Sequence, residues 1–392
     1  MMTGEVKTGK MAGTDADYRE AERTERERQG LFLLNNVGGM YHGLLRKMYD
    51  YAGGFEEAYR IPAGEYLKCG ILRNNEQGKA VLMAYDRRHE QEDLLMREYH
   101  GLSREGIRIV TIFDRTYPKR LSGMEDKPFL LYVRGRLPEE TRPAAAVIGA
   151  RRCSEYGRDC ARYFASALSE AGVQVVSGMA AGIDGEAQRA ALEASGESFG
   201  VLGSGVDICY PQENRDIYRR MAGGAGGVVS EFPRNSQALP FHFILRNRII
   251  AGLCDVLLVL EAREKSGTGI TVSNALDLGK DIFALPGRIS DPLGRGCNAL
   301  LKDGAMVLTS PEDVLSVLQI PVQKKRDGME KDISVLANEE KLVYSCLDSA
   351  EQHIETLSER ANMEISEMTD LLVRLELKGF CASVTQGCYR RL

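Results

Sequence analysis

Through the middle of the chain, short apolar runs alternate with amphipathic stretches, and this alternation predicts the main body of the protein. The apolar runs fall at 144–148, 173–176, 198–202, 227–229, 256–260 and 282–285. Helical periodicity fills the intervals at 157–171, 184–194, 214–221, 243–253 and 270–278. Near-continuous apolar strands joined by helices are buried on both faces, which predicts a doubly wound, mainly parallel α/β sheet of extended Rossmann-like type.

The flanks read differently. Short helical patterns at 31–34, 41–51, 55–60 and 79–100, separated by glycine-containing turns, predict a small helical domain over 31–104 of the SAM or helix-hairpin-helix kind. Alternating residues at 107–113 and an apolar run at 129–133 predict two strands of a connector, so the α/β domain is set at 105–318. Residues 1–30, rich in Glu and Arg, are expected to form a disordered leader. A polar linker is expected at 319–336. Three helical patterns (339–347, 354–361 and 365–377) and a terminal hairpin then predict a winged-helix domain over 337–392. That segment carries ten acidic against six basic residues. It lacks the basic face that groove-binding relatives of such folds use, and contact with protein is the better expectation.

Composition narrows the class. With 392 residues, 43% hydrophobic and 27% charged, the chain suits two or three globular domains. No apolar run approaches the roughly 18 residues of a membrane span, and the first residues lack the apolar stretch of a signal peptide. The nine cysteines are odd in number and form no Cys-x-x-Cys pair, which favours neither disulfides nor zinc and suggests a reduced, cytoplasmic compartment. Cys254 reads as core filler. A net charge of −5 argues against a generic polyanion binder but leaves a local basic groove open.

Ligands of open α/β sheets bind beyond the carboxyl ends of the strands. Four glycine-bearing turns fall there: Gly149-Ala-Arg-Arg152, 177–185, Gly203-Ser-Gly205 and Ser266-Gly-Thr-Gly269. Such turns let backbone N–H groups and helix dipoles approach an oxyanion, or they simply close tight connections. The dinucleotide fingerprint Gly-x-Gly-x-x-Gly is missing after the first strand, where Arg151 and Arg152 intervene. No Gly-x-x-x-x-Gly-Lys-Ser/Thr loop and no metal-binding motif occur. Of five scattered histidines only His242 lies near these turns, and it reads as structural. A polymeric anion fits better. Arg151 on one turn, and Arg246 and Arg248 on another segment, are expected to hold successive phosphates, while Phe243 either stacks a base or fills the core.

Six ordered segments carry a resemblance: Val147-Ile-Gly-Ala-Arg-Arg-Cys-Ser-Glu-Tyr-Gly157; Val176-Ser-Gly-Met-Ala-Ala-Gly-Ile-Asp184; Val201-Leu-Gly-Ser-Gly-Val-Asp207 with Tyr210-Pro211; Ser230-Glu-Phe-Pro233; Arg246-Asn-Arg-Ile-Ile-Ala-Gly-Leu253; and Ala284-Leu-Pro-Gly287. Together they resemble the DprA (Smf) family of DNA-processing proteins. The resemblance implies a non-catalytic, dimeric single-stranded DNA binder that protects DNA entering during natural transformation and loads the RecA recombinase onto it. It implies no cofactor. It also implies that Arg151 grips phosphate, that Ser177, Gly178 and Met179 with Gly203, Ser204 and Gly205 form backbone phosphate cradles, and that Phe243 stacks a base. Arg246, Asn247 and Arg248 match the family's Arg-Asn-Arg signature. Arg248 is alternatively a structural partner of Asp207 or Glu261. The chain departs from the family pattern at Ala181, Gln188 and Pro240, where it lacks basic residues or histidine, and Arg215, Arg219 and Arg220 are candidates to make up the grip. Two other functions compete. One is a nucleotide phosphoribohydrolase of the Lonely-guy type, whose Pro and catalytic Glu are missing around Lys265-Ser-Gly-Thr-Gly-Ile-Thr271. The other is a protein-only adaptor.

Overall fold

The computed structural model describes residues 15–76, 78–321, 333–348, 350–385 and 387–391. The chain divides into two compact units, 1–322 and 323–392. Residues 1–14 of the expected leader and 322–332 of the expected linker lie outside the described residues.

The first unit begins with helices α1 (Asp15–Asn35), α2 (His42–Ala52), α3 (Phe55–Arg60), α4 (Ala63–Lys68), α5 (Lys79–Asp86) and α6 (Glu92–Gly101). The expectation of disorder up to residue 30 is corrected here, because α1 starts at Asp15. Charges in its second half are matched by partners. Glu27 accepts the Phe55 N–H at 2.6 Å, capping α3, and Arg28 pairs with Asp114 at 2.9 Å. Its last turn buries Leu31, Phe32 and Leu34. The single helix expected over 79–100 is also broken, by a 3-10 turn at Arg88–Gln91. There the buried Arg88 guanidinium donates to the carbonyls of Tyr59, Ile61 and Tyr85, a demand that a continuous helix does not meet.

The sheet comprises β1 (Ile107–Thr111), β2 (Leu130–Gly135), β3 (Ala144–Ile148), β4 (Gln174–Ser177), β5 (Ser198–Val201), β6 (Gly226–Ser230), β7 (Val256–Val259), β8 (Asp281–Ala284) and β9 (Met306–Val307). Their order is β1-β2-β6-β5-β4-β3-β7-β8-β9, parallel from β6 to β9 and antiparallel across β2 and β1. The connector strands therefore extend the sheet. Helices α7 (Lys119–Ser122), α8 (Glu155–Glu170), α9 (Ile183–Ala194), α10 (Arg215–Ala222), α11 (Pro240–Leu253), α12 (Thr268–Asp277), α13 (Arg295–Lys302) and α14 (Pro311–Val317) connect or follow the strands. Period-two alternation sorts the strand residues. Ala144, Ala146, Ile148, Leu257 and Val259 pack with α11 and α12, whereas Ala145, Val147, Val256 and Leu258 pack with α8 and α9.

The N-terminal helices share one core with the antiparallel edge. Phe32, Phe55 and Tyr85 are buried together with Ile107, Phe129, Leu130 and Tyr132. The chain runs from β3 outward to β6, then returns to place β7 on the other flank of β3. The crevice beyond β3 and β7 is thus the topological switch point, where ligands of such sheets bind.

The second unit contains α15 (Asn338–Cys346), α16 (Ile354–Ala361) and α17 (Ile365–Leu377) over a small sheet ordered β10 (Gln352–His353), β12 (Cys388–Arg391), β11 (Cys381–Thr385). Val343, Leu357, Met368, Leu372 and Phe380 form its core. This is a winged helix, with a third short strand beside the expected hairpin. No helix among the described residues is long and apolar enough to cross a membrane.

Candidate functional site

Helix N-termini and glycine turns at the switch point attract anions, and here the protein supplies its own. Ser154 caps α8 by accepting the Gly157 N–H at 3.0 Å, and the Glu261 carboxylate accepts the Ser154 N–H at 2.9 Å. Gly157 is required because a Cβ there would lie 2.4 Å from that carboxylate. Asp184, in the first turn of α9, accepts the Gly178 N–H at 3.1 Å. Burial raises its pKa, and the nearby Arg246 guanidinium opposes that shift.

Arg246 is the counterpart of this arrangement. It is 3% exposed, and its Nη1 donates to the carbonyls of Gly178 and Val201, tying the ends of β4 and β5 together. Burial pulls its guanidinium down to about 10, against the stabilising field of Asp184. Gly178 leaves room for both groups, since a Cβ would stand 2.6 Å from Arg246 Nη1 and 2.7 Å from Asp184 Oδ2.

These contacts correct the cradle expectation for Gly178, and the same holds for Met179 and Gly205. Ser177 is buried and donates to the Val147 carbonyl at 2.6 Å, and the Met179 N–H goes to Gln188 at 3.1 Å. Gly203, Ser204 and Gly205 are buried as well, with Ser204 Oγ donating to the Ile208 carbonyl and the Gly205 N–H to the Ser236 carbonyl. The amides of Gly178, Met179 and Gly205 therefore serve the protein's own acceptors. Gln188, which stands where the family pattern has histidine, bridges the Met179 N–H and the Phe199 carbonyl.

Arg248 is removed from the rim altogether. It is 6% exposed and ion-paired with Glu231 and, at 3.5 Å, with Asp126. Neither Asp207 nor Glu261 is its partner. Asp207 accepts the Asn235 N–H instead, and Glu261 holds the start of α8. His242 is structural as expected, stacked 3.9 Å from Phe232 with its Nδ1 bonded to the Gln237 carbonyl. Cys254 is fully buried core.

Arg151, Phe243 and Asn247 remain at the open cleft. Pro240 opens α11 at a position where its missing N–H costs nothing, which puts Phe243 in the first turn. The Phe243 ring lies over Gly203, where a Cβ would meet it at 2.8 Å. The guanidinium carbon of Arg151 sits 4.8 Å from the ring centroid, and Tyr210 stands beside the ring at 5.6 Å. Asn247 donates to the Gly267 carbonyl at 3.4 Å, joining α11 to the turn before α12.

Arg151, Phe243 and Asn247 border a cavity of about 480 Å³ that also takes in Arg152, Arg263, Ser266 and Thr268. Among the described residues, none offers Arg151, Arg152 or Arg263 a carboxylate within ion-pair distance, and all three are exposed. Ser266 Oγ is buried without a partner at the start of α12. Reading the sequence passed over Arg152, Arg263 and Tyr210 as site residues. Tyr210 was visible only as part of the Tyr-Pro pair, with no sign that it meets a ring on α11.

A doubly wound sheet whose switch-point turns are filled from within, carrying a winged helix, defines an extended Rossmann-type protein with no dinucleotide cradle. The sequence profile of DNA recombination-mediator protein A matches residues 108–319, and that of the DprA winged helix domain matches 330–387. The chain is 36% identical over 282 residues to Protein Smf of Escherichia coli, covering 70% of this chain and 75% of that protein. It is 42% identical over 206 residues to DNA processing protein DprA of Streptococcus pneumoniae, covering 53% and 72%. The X-ray structure of the Streptococcus pneumoniae protein superposes with a TM-score of 0.60 at 31% identity, over 78% of this chain and 98% of that one. The chain belongs to the DNA recombination-mediator protein A family, also called DprA or Smf.

Proposed function

We propose that this protein binds single-stranded DNA across the cleft beyond β3 and β7, protects it, and loads the RecA recombinase onto it as a homodimer, with no chemical step of its own. The observation that carries the binding reading is the Arg151–Phe243–Tyr210 cluster at the mouth of a cleft bordered by the unpaired Arg152 and Arg263. Aromatic faces accept any base, and unpaired guanidinium groups accept phosphodiesters, so the combination favours an unpaired strand of any sequence. Duplex DNA hides the base faces that the cluster would use. Membership of the recombination-mediator family supports the RecA and dimer parts of the reading, and the acidic winged helix suits a protein contact better than a phosphate contact.

The test is anisotropy of labelled oligo-dT and of duplex DNA across a salt series, followed by RecA filament assembly on the protein-bound strand. Tight binding of oligo-dT is expected, with log K falling by about 0.7 per phosphate contact for each unit of log salt, and faster RecA nucleation. Equal affinity for duplex, or no binding of either, removes the reading.

A further inference from the structure

A second cavity, of about 290 Å³, lies on the other side of α11, where α2, the segment around Asp126 and Phe129, and the turn after β6 meet. The Arg248 ion pairs with Glu231 and Asp126 form part of its wall. Five buried polar atoms without a partner gather around it: Arg248 Nη1, Glu231 Oε1, Asn35 Oδ1 and both ring nitrogens of His42. Each belongs to a side chain already held in place. Arg248 is 6% exposed and fixed by Glu231 and Asp126, Asn35 Nδ2 donates to the Glu231 carbonyl at 3.2 Å, and His42 stacks on Phe129 at 4.6 Å. A folded protein rarely leaves so many fixed polar atoms unmatched in one place unless something else satisfies them.

The charges limit what that is. Two carboxylates, Glu231 and Asp126, face one guanidinium, so a phosphate or carboxylate is repelled. Burial and the neighbouring Arg248 and Arg46 pull the His42 imidazole down to about 4, leaving it neutral near pH 7 with one donor and one acceptor nitrogen. The walls are apolar and partly aromatic, with Phe129 and Phe232 among them, and the volume lies at the small end of ligand cavities. The occupant must therefore be neutral and compact. It must present an acceptor to Arg248 beside donors to Glu231 and Asn35. The Watson–Crick edge of guanine supplies this set: the O6 carbonyl accepts, and N1–H and the 2-amino group donate. Adenine and cytosine lack the N–H between their outer groups, and thymine offers one donor between two acceptors.

We propose that this cavity is a guanine-selective base site, filled either by a free guanine nucleoside or by a base of the bound strand. Ile244, which is 49% exposed, borders both cavities, and Leu239 and Phe241 are exposed on the same segment. A strand leaving Phe243 therefore meets an apolar path to the second cavity. Filling by the strand rests on the single-stranded DNA reading above, whereas filling by the free nucleoside does not.

The test titrates the full chain calorimetrically with guanosine, inosine, adenosine and thymidine, and in parallel compares oligo-dT with oligo-dT carrying a single dG. Guanosine is expected to bind one to one and about tenfold more tightly than adenosine or thymidine. Inosine, which lacks the 2-amino donor, should fall between. Met40→Trp, which fills the cavity from the helical side, should abolish guanosine binding and any dG preference while leaving oligo-dT affinity unchanged. Guanosine binding without a dG preference assigns the site to the free nucleoside. Failure of the wild-type protein to prefer guanosine, together with indifference to dG, leaves a cavity holding water only and overturns the proposal. Loss of oligo-dT binding itself sinks the polymer reading and leaves the guanosine result standing by itself.

Discussion

The Arg151 guanidinium covers the outer face of the Phe243 ring, with its central carbon 4.8 Å from the ring centroid. The two groups thus occupy each other, and the contact holds the arginine beside the ring. On the proposed single-stranded DNA reading, a base that stacks on Phe243 would displace Arg151 outward, toward the backbone of the same nucleotide.

Replacing Arg151 by Ala should weaken oligo-dT binding equally across sequences and reduce the salt slope by about 0.7, one phosphate contact. Arg151→Lys should keep the slope and lose part of the affinity, because an ammonium stacks less well than a planar guanidinium. Anisotropy at several salt concentrations separates the two effects.

Phe243→Ala should cost about 1–3 kcal/mol of strand affinity with no change in salt slope. Gly203→Ala tests the same ring from beneath. Its Cβ would enter within 2.8 Å of the ring and push it off its seat, so binding should fall while the urea midpoint moves little.

Arg246→Ala should destabilise the first unit by about 3–5 kcal/mol, because it leaves the buried Asp184 carboxylate and the Gly178 and Val201 carbonyls uncompensated. Asp184→Asn in the same background should recover part of the loss. Urea denaturation of the two single variants and the double variant measures the coupling.

The His42 imidazole is held down to about 4, below the roughly 6.5 of an unfolded histidine. The unfolded chain therefore binds the proton first as pH falls. The stability His42 contributes is complete above pH about 6.5 and is lost as pH drops from there toward about 4. His42→Phe should flatten the urea midpoint across that interval relative to the wild-type protein.

Periodicity made the parallel sheet legible, since buried strands and their helices leave different spacings in the chain. The segment before Leu31 was misread because its stability is not local: Glu27 caps α3 and Arg28 meets Asp114, partners far along the sequence. The candidate cleft was legible in outline, since Arg151 and Phe243, both singled out in the sequence, border it. Its glycine turns were not. A glycine admits a close neighbour without saying whether that neighbour is a ligand oxygen or the protein's own carboxylate, and here Asp184 and Arg246 fill the space over Gly178. Arg246 and Arg248 stand two residues apart, yet the first serves the switch-point strands and the second the Glu231 pair.

The acidic side chain seated among the switch-point amides has a last effect, on strand ends. A terminal phosphomonoester carries two charges and gains most from backbone donors, but the Gly178 amide already serves Asp184 and the Met179 amide Gln188. On the proposed single-stranded DNA reading the exposed Arg151, Arg152 and Arg263 side chains do the gripping, and such side chains hold an internal diester as well as a terminus. A covalently closed single-stranded circle should therefore be as good a ligand as a linear strand of equal length.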